Sequence, residues 1–377
     1  LKILIIASLS TSLINFRYQL VEDLINVGFD VQLAAPSIED DELTVNRFKE
    51  IGVKVHSIPL GRTGLNPFAD VWALFSLYRL MRKIKPNTTL GYTVKPVIYG
   101  SIAAFLARAP NRVALITGLG YVFEQDGKSG RITRTIKAAS KILYKVAMAA
   151  THKVIFQNPD DRALFLSEKL INDPHKAFVV NGSGVDVQSF SVAKFPIERS
   201  FLMIGRYLGA KGIREYAAAA KILKSQYPEW HFKLVGWLDA GPDCISKVEL
   251  SSWVNTGYLE DLGKLDDVRP ALANCSVYVL PSYREGTPRT VLEAMAMGRP
   301  IITTDVPGCR ETVEEGVNGF MVQPKDVSSL AVAMKRFILK PDLIEEMGRK
   351  GREIVEDKYD VHKVNDDMLR IMGITHK

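Results

Sequence analysis

The sequence predicts an α/β protein built from two doubly wound units, each a parallel sheet covered by helices on both faces. The chain has 377 residues, which is more than twice the usual size of a single domain. Its apolar fraction of 47% is high enough to fill two cores. Short β-branched runs alternate with helical segments along the whole chain, which is the pattern typical of parallel sheets.

Short runs of β-branched and apolar residues mark the expected strands. In the first half they lie at residues 2–7, 31–35, 53–58, 88–92, 113–116, 154–157 and 178–180. In the second half they lie at residues 201–204, 231–235, 254–258, 277–280, 300–303 and 319–322. Gly182, Gly184 and Pro196 interrupt the pattern between the halves, so the predicted domains are residues 1–190 and 191–360. Residues 361–377 are expected to form a helix that crosses back to the first domain.

The cysteines and the opening residues indicate the cellular setting. Cys244, Cys275 and Cys309 lie about thirty residues apart without a C-x-x-C pair, which argues against a disulfide framework and against a zinc site. A reducing cytoplasm is the simplest compartment. The short apolar run at the start breaks at Ser8 and is predicted to be a first strand rather than a signal sequence. No apolar stretch approaches the roughly 18 residues of a spanning helix.

The net charge of +7 is concentrated in the first half: residues 1–190 contain 23 Lys and Arg against 16 Asp and Glu, whereas residues 191–377 contain 26 of each. One predicted helix repeats cations three or four positions apart, at Arg131, Arg134, Lys137, Lys141 and Lys145. This stripe fits either the solvated side of a packed helix or a surface that docks on anionic lipid. Residues 67–86 combine aromatics with a basic end and fit either a second interfacial helix or core. No nucleic-acid partner is expected, because no recognisable binding module interleaves these cations with exposed aromatics.

Two cations follow the first strand of the second half, Arg206 at its end and Lys211 at the mouth of the next helix. A helix N-terminus with two fixed cations suits a pyrophosphate, since amide donors, helix dipole and formal charge all favour an anion. The pair taken alone also fits an ordinary solvated Arg and Lys near a turn.

Two glutamates follow a later strand, Glu285 just before a helix expected to begin at Pro288 and Glu293 within it. The rise of a helix places them on the order of 10 Å apart. That is too far for a shared proton, and it suits a grip on two parts of one extended ligand.

Several phosphate-binding motifs are missing from the sequence. The first strand is not followed by G-x-G-x-x-G, and no G-x-x-x-x-G-K-[ST] loop occurs. The chain also has no D-x-D pair that could anchor a metal-bridged diphosphate, so cationic side chains are expected to neutralise the phosphates. No metal or other cofactor is expected.

A resemblance to a known family rests on the stretches GRYLGAKG (residues 205–212) and VLPSYREGTPRTVLEAMAMGRPIITTDVPGCRETVEEGVNGFMV (residues 279–322). They resemble the donor-binding domain of the retaining GT-B glycosyltransferases of family 4, whose two Rossmann-like domains face a cleft. The stretches SLINFR, YTVKPVIYG and TGLGYVF in the first half resemble a narrower bacterial group. Its members, N-acetylgalactosaminyltransferases among them, add sugars to polyprenyl-pyrophosphate-linked saccharides for surface polysaccharides and protein glycans.

The resemblance implies a role for each residue of the second half. In similar enzymes the helix glutamate, here Glu293, accepts hydrogen bonds from the nucleotide's ribose, and the loop glutamate, here Glu285, contacts the transferred sugar. The N–H groups of Gly286 and Thr287 would lie near the diphosphate. Arg206 and Lys211 would stabilise the charge on the departing diphosphate.

The first half departs from the family at one position. Many members carry His, Asp or Glu where this chain has Thr117 and Gly118, with Glu124 and Asp126 farther along. A front-face retaining mechanism does not require a protein base there, because the leaving phosphate oxygen can take the acceptor's proton. Lys95 and Arg17 are the other candidate acceptor-binding residues, each expected at a helix start, where each also fits an ordinary capping residue.

The expected function is transfer of a sugar, an N-acetylhexosamine, from a UDP-sugar to a lipid-linked oligosaccharide. The first domain would bind the acceptor and the second the donor, at the inner face of the bacterial plasma membrane. Two alternatives stay open: a sugar-nucleotide epimerase or hydrolase on the same fold, and a non-catalytic module that binds sugar nucleotides.

Overall fold

A computed structural model describes residues 1–61, 66–119, 131–239 and 243–374, without the side chains of residues 131–134. The chain divides into two compact units. The first comprises Leu1–Ser183 together with Val364–Lys377, and the second comprises Gly184–Lys363. The boundary expected from the sequence, between residues 190 and 191, lies a few residues beyond this division.

The first unit contains a seven-stranded parallel sheet in the order β3-β2-β1-β4-β5-β6-β7. Its strands are β1 Lys2–Ile6, β2 Asp30–Ala35, β3 Lys54–Ser57, β4 Thr88–Tyr92, β5 Asn111–Ile116, β6 Lys153–Phe156 and β7 Ala177–Val179. Its helices are α1 Thr11–Asn26, α2 Glu42–Glu50, α3 Pro67–Ile84, α4 Ser101–Leu106, α5 Arg131–Ala150 and α6 Pro159–Ser167. The strand order reverses between β1 and β4, and in sheets of this kind ligands bind at the carboxyl ends of the strands beside such a reversal.

Strand β1 shows how the first sheet is buried on both faces. Successive side chains of a strand point to opposite faces. Leu4 and Ile6 therefore join the core formed with α3 to α5, whereas Ile3 and Ile5 join the core formed with α1 and α2. A strand buried on both sides needs a continuous apolar run, which is why this strand reads as KILII.

The last helix, α13 (Val361–Met372), starts in the second unit and ends in the first. Met368 and Leu369 are buried in the core that contains Ile3 and Ile5. The Asn365 side chain donates a hydrogen bond to Asp23 of α1 at 2.6 Å. Helix α13 thus contributes to the first unit's core.

The second unit contains a six-stranded parallel sheet in the order β10-β9-β8-β11-β12-β13, with its reversal between β8 and β11. Its strands are β8 Ser200–Tyr207, β9 His231–Leu238, β10 Glu260–Asp261, β11 Val277–Leu280, β12 Ile301–Thr304 and β13 Gly319–Val322. The helices before α13 are α7 Ile213–Lys224, α8 Lys247–Asn255, α9 Arg269–Ala273, α10 Arg289–Ala296, α11 Val327–Leu339 and α12 Asp342–Lys358.

The strand predicted at residues 254–258 is wrong. Val254 belongs to α8, and the strand that pairs with β9 is the short β10. A capping box starts α8, because the Ser246 hydroxyl accepts from the Glu249 N–H while the Glu249 carboxylate accepts from the Ser246 N–H. Gly257, with φ of +76°, ends the turn after the helix. The capping chemistry thus outweighs the β-propensity of the Val-Asn-Thr-Gly-Tyr run.

Candidate functional site at the strand reversals

The turn after β8 lies against the end of β11, at the strand reversal of the second sheet. Arg206 is near the end of β8, and Lys211 closes a single 3₁₀ turn before α7. Gly212 joins this turn to α7 with φ of +75°, and a Cβ there would lie 2.1 Å from the Pro281 carbonyl oxygen. Only glycine lets the two segments approach this closely.

Lys211 and Glu285 form an ion pair across this contact. The Lys211 ammonium lies 2.5 Å from Glu285 Oε1, and the Ser282 hydroxyl donates to the same oxygen at 2.7 Å. Both charged side chains are largely but not fully buried. The Tyr283 N–H also donates to the Ala210 carbonyl at 2.9 Å, which ties the two loops together. A cation and a carboxylate are therefore held in fixed positions at the sheet edge.

A second turn, at residues 307–309, packs against the loop that carries Glu285. The Glu285 N–H donates to the Pro307 carbonyl at 3.1 Å. Gly308 has φ of +85°, and a Cβ there would lie 2.3 Å from the Glu285 carbonyl oxygen. Cys309 lies buried beneath, where burial and the nearby Glu285 charge raise the pKa of its thiol to about 12. This thiol stays protonated at neutral pH and is part of the packing.

Glu293 lies on α10, which begins at Arg289, one residue later than the sequence predicted. Its carboxylate is buried and accepts a hydrogen bond from Arg289 Nε at 2.9 Å. Burial raises the pKa of Glu293, while the Arg289 charge opposes the shift. The carboxylate is therefore kept in place at a cost in desolvation.

Arg206 has a partner that the sequence reasoning missed. Its guanidinium lies 2.8 Å from Asp239, which directly follows β9. Arg289, the partner of Glu293, was also missed. The four-residue spacing of Arg289 and Glu293 could have signalled an ion pair on one helix face. Asp239 could have been found by inspecting the residue after each strand, because these residues collect at one edge of the sheet.

At the reversal of the first sheet, hydroxyl groups come together. Thr93, just after β4, donates to the Ser8 hydroxyl after β1 at 2.8 Å. Ser12 and the Tyr92 phenol are also 2.8 Å apart. Thr93 has φ of +68°, a left-handed conformation that β-branched residues rarely adopt. Such strain concentrates at functional sites.

Lys95 follows the same strand and is paired with a residue from a distant helix. Its ammonium donates to Asp70 of α3 at 2.7 Å, and both side chains are largely buried. Burial and the Asp70 carboxylate raise the pKa of the Tyr99 phenol beside them. The prediction that Lys95 lies at a helix start agrees with the helical turn that begins at Pro96. No sequence signal links Lys95 to Asp70, because they are 25 residues apart on different elements.

The expectation that Arg17 lies at a helix start is wrong. Helix α1 begins at Thr11, so Arg17 lies in its second turn, where its side chain is buried and its guanidinium is 5.2 Å from the centre of the Tyr92 ring. Thr117 and Gly118 follow β5 and are half-buried, Gly118 with φ of +135°. Glu124 and Asp126 lie outside the described residues.

The basic stripe on α5 is only partly exposed to solvent. Lys141 pairs with Glu168 of the segment after α6 at 2.7 Å, and Lys145 is exposed. Lys137 is half-buried. The side chains of Arg131 and Arg134 lie outside the described part of the chain. Within that part, no group of three or more His, Cys, Asp or Glu side chains could hold a metal ion.

Comparison with solved structures defines the fold. A sucrose-phosphate synthase from Thermosynechococcus elongatus superimposes with a TM-score of 0.80 over 98% of each chain at 19% identity. A HepE protein of Anabaena solved with UDP superimposes with a TM-score of 0.76 over 99% of this chain and 100% of that one at 17% identity. The two doubly wound units therefore form the GT-B fold.

Sequence comparison identifies the family. Residues 2–158 match the model described as Glycosyl transferase 4-like, and residues 198–340 match the model described as Glycosyl transferases group 1. Because these two glycosyl transferase models together match most of the chain, the chain belongs to the glycosyltransferase family that they describe and is a glycosyltransferase.

Two curated relatives match across most of the length of both chains. An N,N'-diacetylbacillosaminyl-diphospho-undecaprenol alpha-1,3-N-acetylgalactosaminyltransferase of Campylobacter jejuni is 29% identical over 337 residues, 85% of each chain. A UDP-Gal:alpha-D-GlcNAc-diphosphoundecaprenol alpha-1,3-galactosyltransferase of Escherichia coli is 26% identical over 356 residues, 91% of this chain and 88% of that one.

Proposed function

We propose that this glycosyltransferase moves an N-acetylhexosamine from a UDP-sugar to a polyprenyl-pyrophosphate-linked saccharide with retention of anomeric configuration. The observation that carries the proposal is the Lys211–Glu285 pair at the reversal between β8 and β11, with Arg206 at the end of the adjacent strand. This arrangement supplies positive charge for a diphosphate and a carboxylate for sugar hydroxyls at the edge where such sheets bind nucleotides.

The names of the two curated relatives support the substrate classes. Both names specify acceptors linked to undecaprenol through a diphosphate, one specifies transfer of N-acetylgalactosamine, and the other specifies UDP-galactose. Both also specify an alpha linkage. Because UDP-galactose-type donors carry their diphosphate in the α configuration, an alpha product corresponds to retention.

The proposed reaction assigns one task to each side chain. Glu293, released in part from Arg289, accepts hydrogen bonds from the ribose, and Glu285 accepts them from the hexose. The backbone N–H groups of Gly286 and Thr287 and the cations of Arg206 and Lys211 hold the diphosphate.

The bond between the sugar's anomeric carbon and the diphosphate breaks while the acceptor oxygen bonds to that carbon on the same face. The acceptor's proton passes to the departing phosphate oxygen. The two cations stabilise the charge that develops there, and no metal takes part. Lys95, Arg17, Thr117 and Gly118, in the first unit, are the proposed acceptor contacts, and the protein works as a peripheral enzyme on the cytoplasmic face of the membrane.

The test is an assay of purified protein with a panel of UDP-sugars and a short-chain polyprenyl-pyrophosphate saccharide, read by mass spectrometry. We expect the acceptor to gain one N-acetylhexosamine, with UDP released only when the acceptor is present. Release or epimerisation of the donor sugar without acceptor would instead identify a hydrolase or epimerase. Donor binding without any chemistry would identify a binding module.

A further inference from the structure

Helix α3 (Pro67–Ile84) carries apolar side chains on two opposite faces. On one face Ala73, Leu77 and Met81 are buried in the first unit's core. The other face is apolar but exposed, with exposed fractions of 88% for Phe68, 65% for Val71, 57% for Trp72 and 47% for Phe75. These four residues are spaced by three, one and three positions, so they lie on one side of the helix. We call them the α3 apolar face; monomeric proteins rarely leave so compact an aromatic cluster in water.

The charges on α3 indicate what kind of partner fits this face. Arg79, Arg82 and Lys83 are exposed along its last turns, and the Arg79 guanidinium lies 5.8 Å from the centre of the Phe75 ring. The helix has one acidic residue, Asp70, which is buried and paired with Lys95. All the exposed charge on this helix is therefore positive and lies beside the apolar face, which complements an anionic surface with an apolar layer beneath it.

This charge pattern argues against a second copy of the chain as the partner. A second copy would bring the same positive residues to the contact, and α3 exposes no acidic residue to meet them. In an anionic bilayer, Trp and Phe rings occupy the boundary between headgroups and acyl chains while basic side chains contact lipid phosphates. Among the described residues, no helix combines the length and hydropathy needed to cross a membrane.

We infer that the α3 apolar face docks on an anionic bilayer, with Arg79, Arg82 and Lys83 against the lipid phosphates. The inference rests on the proposed function, because a lipid-linked acceptor would be held in that bilayer. The opposite side of the same helix carries Asp70, which holds Lys95 at the carboxyl end of β4. Docking through α3 would therefore place the membrane next to the helix that positions a proposed acceptor contact. This docking surface differs from the basic stripe on α5, where Lys141 is paired with Glu168.

The test is co-flotation of the full chain with phosphatidylcholine vesicles, with and without phosphatidylglycerol. The triple variant Phe68→Ser, Trp72→Ser, Phe75→Ser should bind anionic vesicles about tenfold or more weakly than the native protein. A matched control, Leu43→Ser, Val248→Ser, removes two exposed apolar side chains from α2 and α8 and should bind as the native protein does. Circular dichroism and thermal melting confirm that each variant is folded.

Two further experiments separate the contribution of the basic side chains to vesicle binding from the insertion of the aromatic side chains into the bilayer. The variant Arg79→Gln, Arg82→Gln, Lys83→Gln should lose most of the preference for anionic lipid, whereas Lys141→Gln, Lys145→Gln on α5 should keep it. Trp72 is the only tryptophan in residues 1–183. Brominated acyl chains should therefore quench more fluorescence in the native protein than in Trp72→Phe.

Unchanged vesicle binding by the Phe68/Trp72/Phe75 variant would overturn the inference, and so would a native protein that ignores anionic vesicles. A native dimer that the same variant converts to a monomer, with vesicle binding unchanged, would assign the face to self-association instead. Transfer to a water-soluble short-chain acceptor, measured without vesicles, should be equal in native and variant protein. Absence of transfer in both proteins would contradict the proposed function and leave the vesicle result to decide the docking face separately.

Discussion

The two strand reversals of the chain present different chemistry at equivalent places in similar sheets. At the second sheet, between β8 and β11, the side chains are charged and paired, Lys211 with Glu285 and Arg206 with Asp239. At the first sheet, between β1 and β4, they are mainly hydroxyls, with Thr93 bonded to Ser8 and Ser12 to Tyr92. Fixed charges suit a diphosphate, whereas hydroxyls suit a saccharide, and this difference supports the proposal that the second unit binds the donor and the first unit the acceptor.

The largest expected effect is at the charged edge. Lys211→Met should lower kcat about 100- to 1000-fold, because it removes a fixed cation from the departing diphosphate. The double variant Lys211→Met, Glu285→Gln should be little worse than the single variant if the two side chains act as a unit. Steady-state kinetics against the exposed-lysine control Lys247→Met would measure this, and a loss below tenfold would remove Lys211 from the chemistry.

The second effect concerns Glu293 and has opposite signs for binding and stability. Glu293→Gln should weaken UDP binding by about tenfold or more, because a charged acceptor of hydrogen bonds is lost. The pKa of the Glu293 carboxyl is raised in the folded protein from its ordinary value of 4.5. Such a carboxyl stabilises the fold at pH values below 4.5, and this contribution is lost as the pH rises through the pKa of the folded state. Glu293→Gln should therefore raise Tm at pH 8, by roughly 2–4 °C per kcal/mol recovered, and the gain should vanish near pH 4.

Calorimetric titration with UDP and thermal melts from pH 4 to 8 would measure both effects of Glu293→Gln. The matched control Glu346→Gln changes an exposed glutamate on α12. A Tm that falls at pH 8 would mean that the Arg289 pair outweighs the desolvation of Glu293.

The third effect tests whether the acceptor edge depends on Asp70. Asp70→Asn leaves the Lys95 ammonium without its carboxylate partner, so the KM for the acceptor should rise by about tenfold while UDP affinity stays unchanged. Breaking a buried ion pair costs about 3–5 kcal/mol, so Asp70→Asn should also lower the stability of the fold. The double variant Asp70→Asn, Lys95→Met removes both charges and controls for this loss. It should regain stability but not acceptor affinity. An unchanged KM in Asp70→Asn, with Asp40→Asn as control, would mean that Lys95 does not contact the acceptor.

The smallest effect concerns the strained Thr93. Asparagine tolerates a left-handed backbone better than a β-branched residue does, so Thr93→Asn should stabilise the protein by about 1 kcal/mol. Urea unfolding would measure this. The control Ser8→Ala removes the hydrogen bond to Thr93 without changing the backbone preference, and it should destabilise slightly. Because Thr93→Asn also removes the hydroxyl that donates to Ser8, a Thr93→Asn variant no more stable than Ser8→Ala would mean that the φ of +68° stores no strain.

The comparison also explains what could be predicted from the sequence. Nearly all strands were found, because a strand buried on both faces needs a continuous apolar run, as in β1 and β11. The wrong strand was predicted at residues 254–258, just before the short edge strand β10. There the capping box of Ser246 and Glu249 starts a helix that local β-propensity does not predict. Arg206, Lys211 and Glu285 could be singled out as residues that follow predicted strands, because such residues meet at one edge of a parallel sheet.

Ion-pair partners were the main part of the site that the sequence did not reveal. Lys211 and Glu285 could be predicted as neighbours from their motifs, but Asp239 and Asp70 reach their partners through the fold, from other strands and helices. The burial of Arg17 likewise depends on the packing of α1 against Tyr92. Exposure of the α3 apolar face could not be foreseen, because aromatic residues at helical spacing fit a core equally well.

A crystal structure of the chain with a bound UDP-sugar tests the central claim most directly. We expect the ribose hydroxyls at Glu293, the hexose at Glu285, and the diphosphate between the cations of Arg206 and Lys211. A nucleotide bound elsewhere, with Lys211 and Glu285 still paired and out of its reach, would contradict the account.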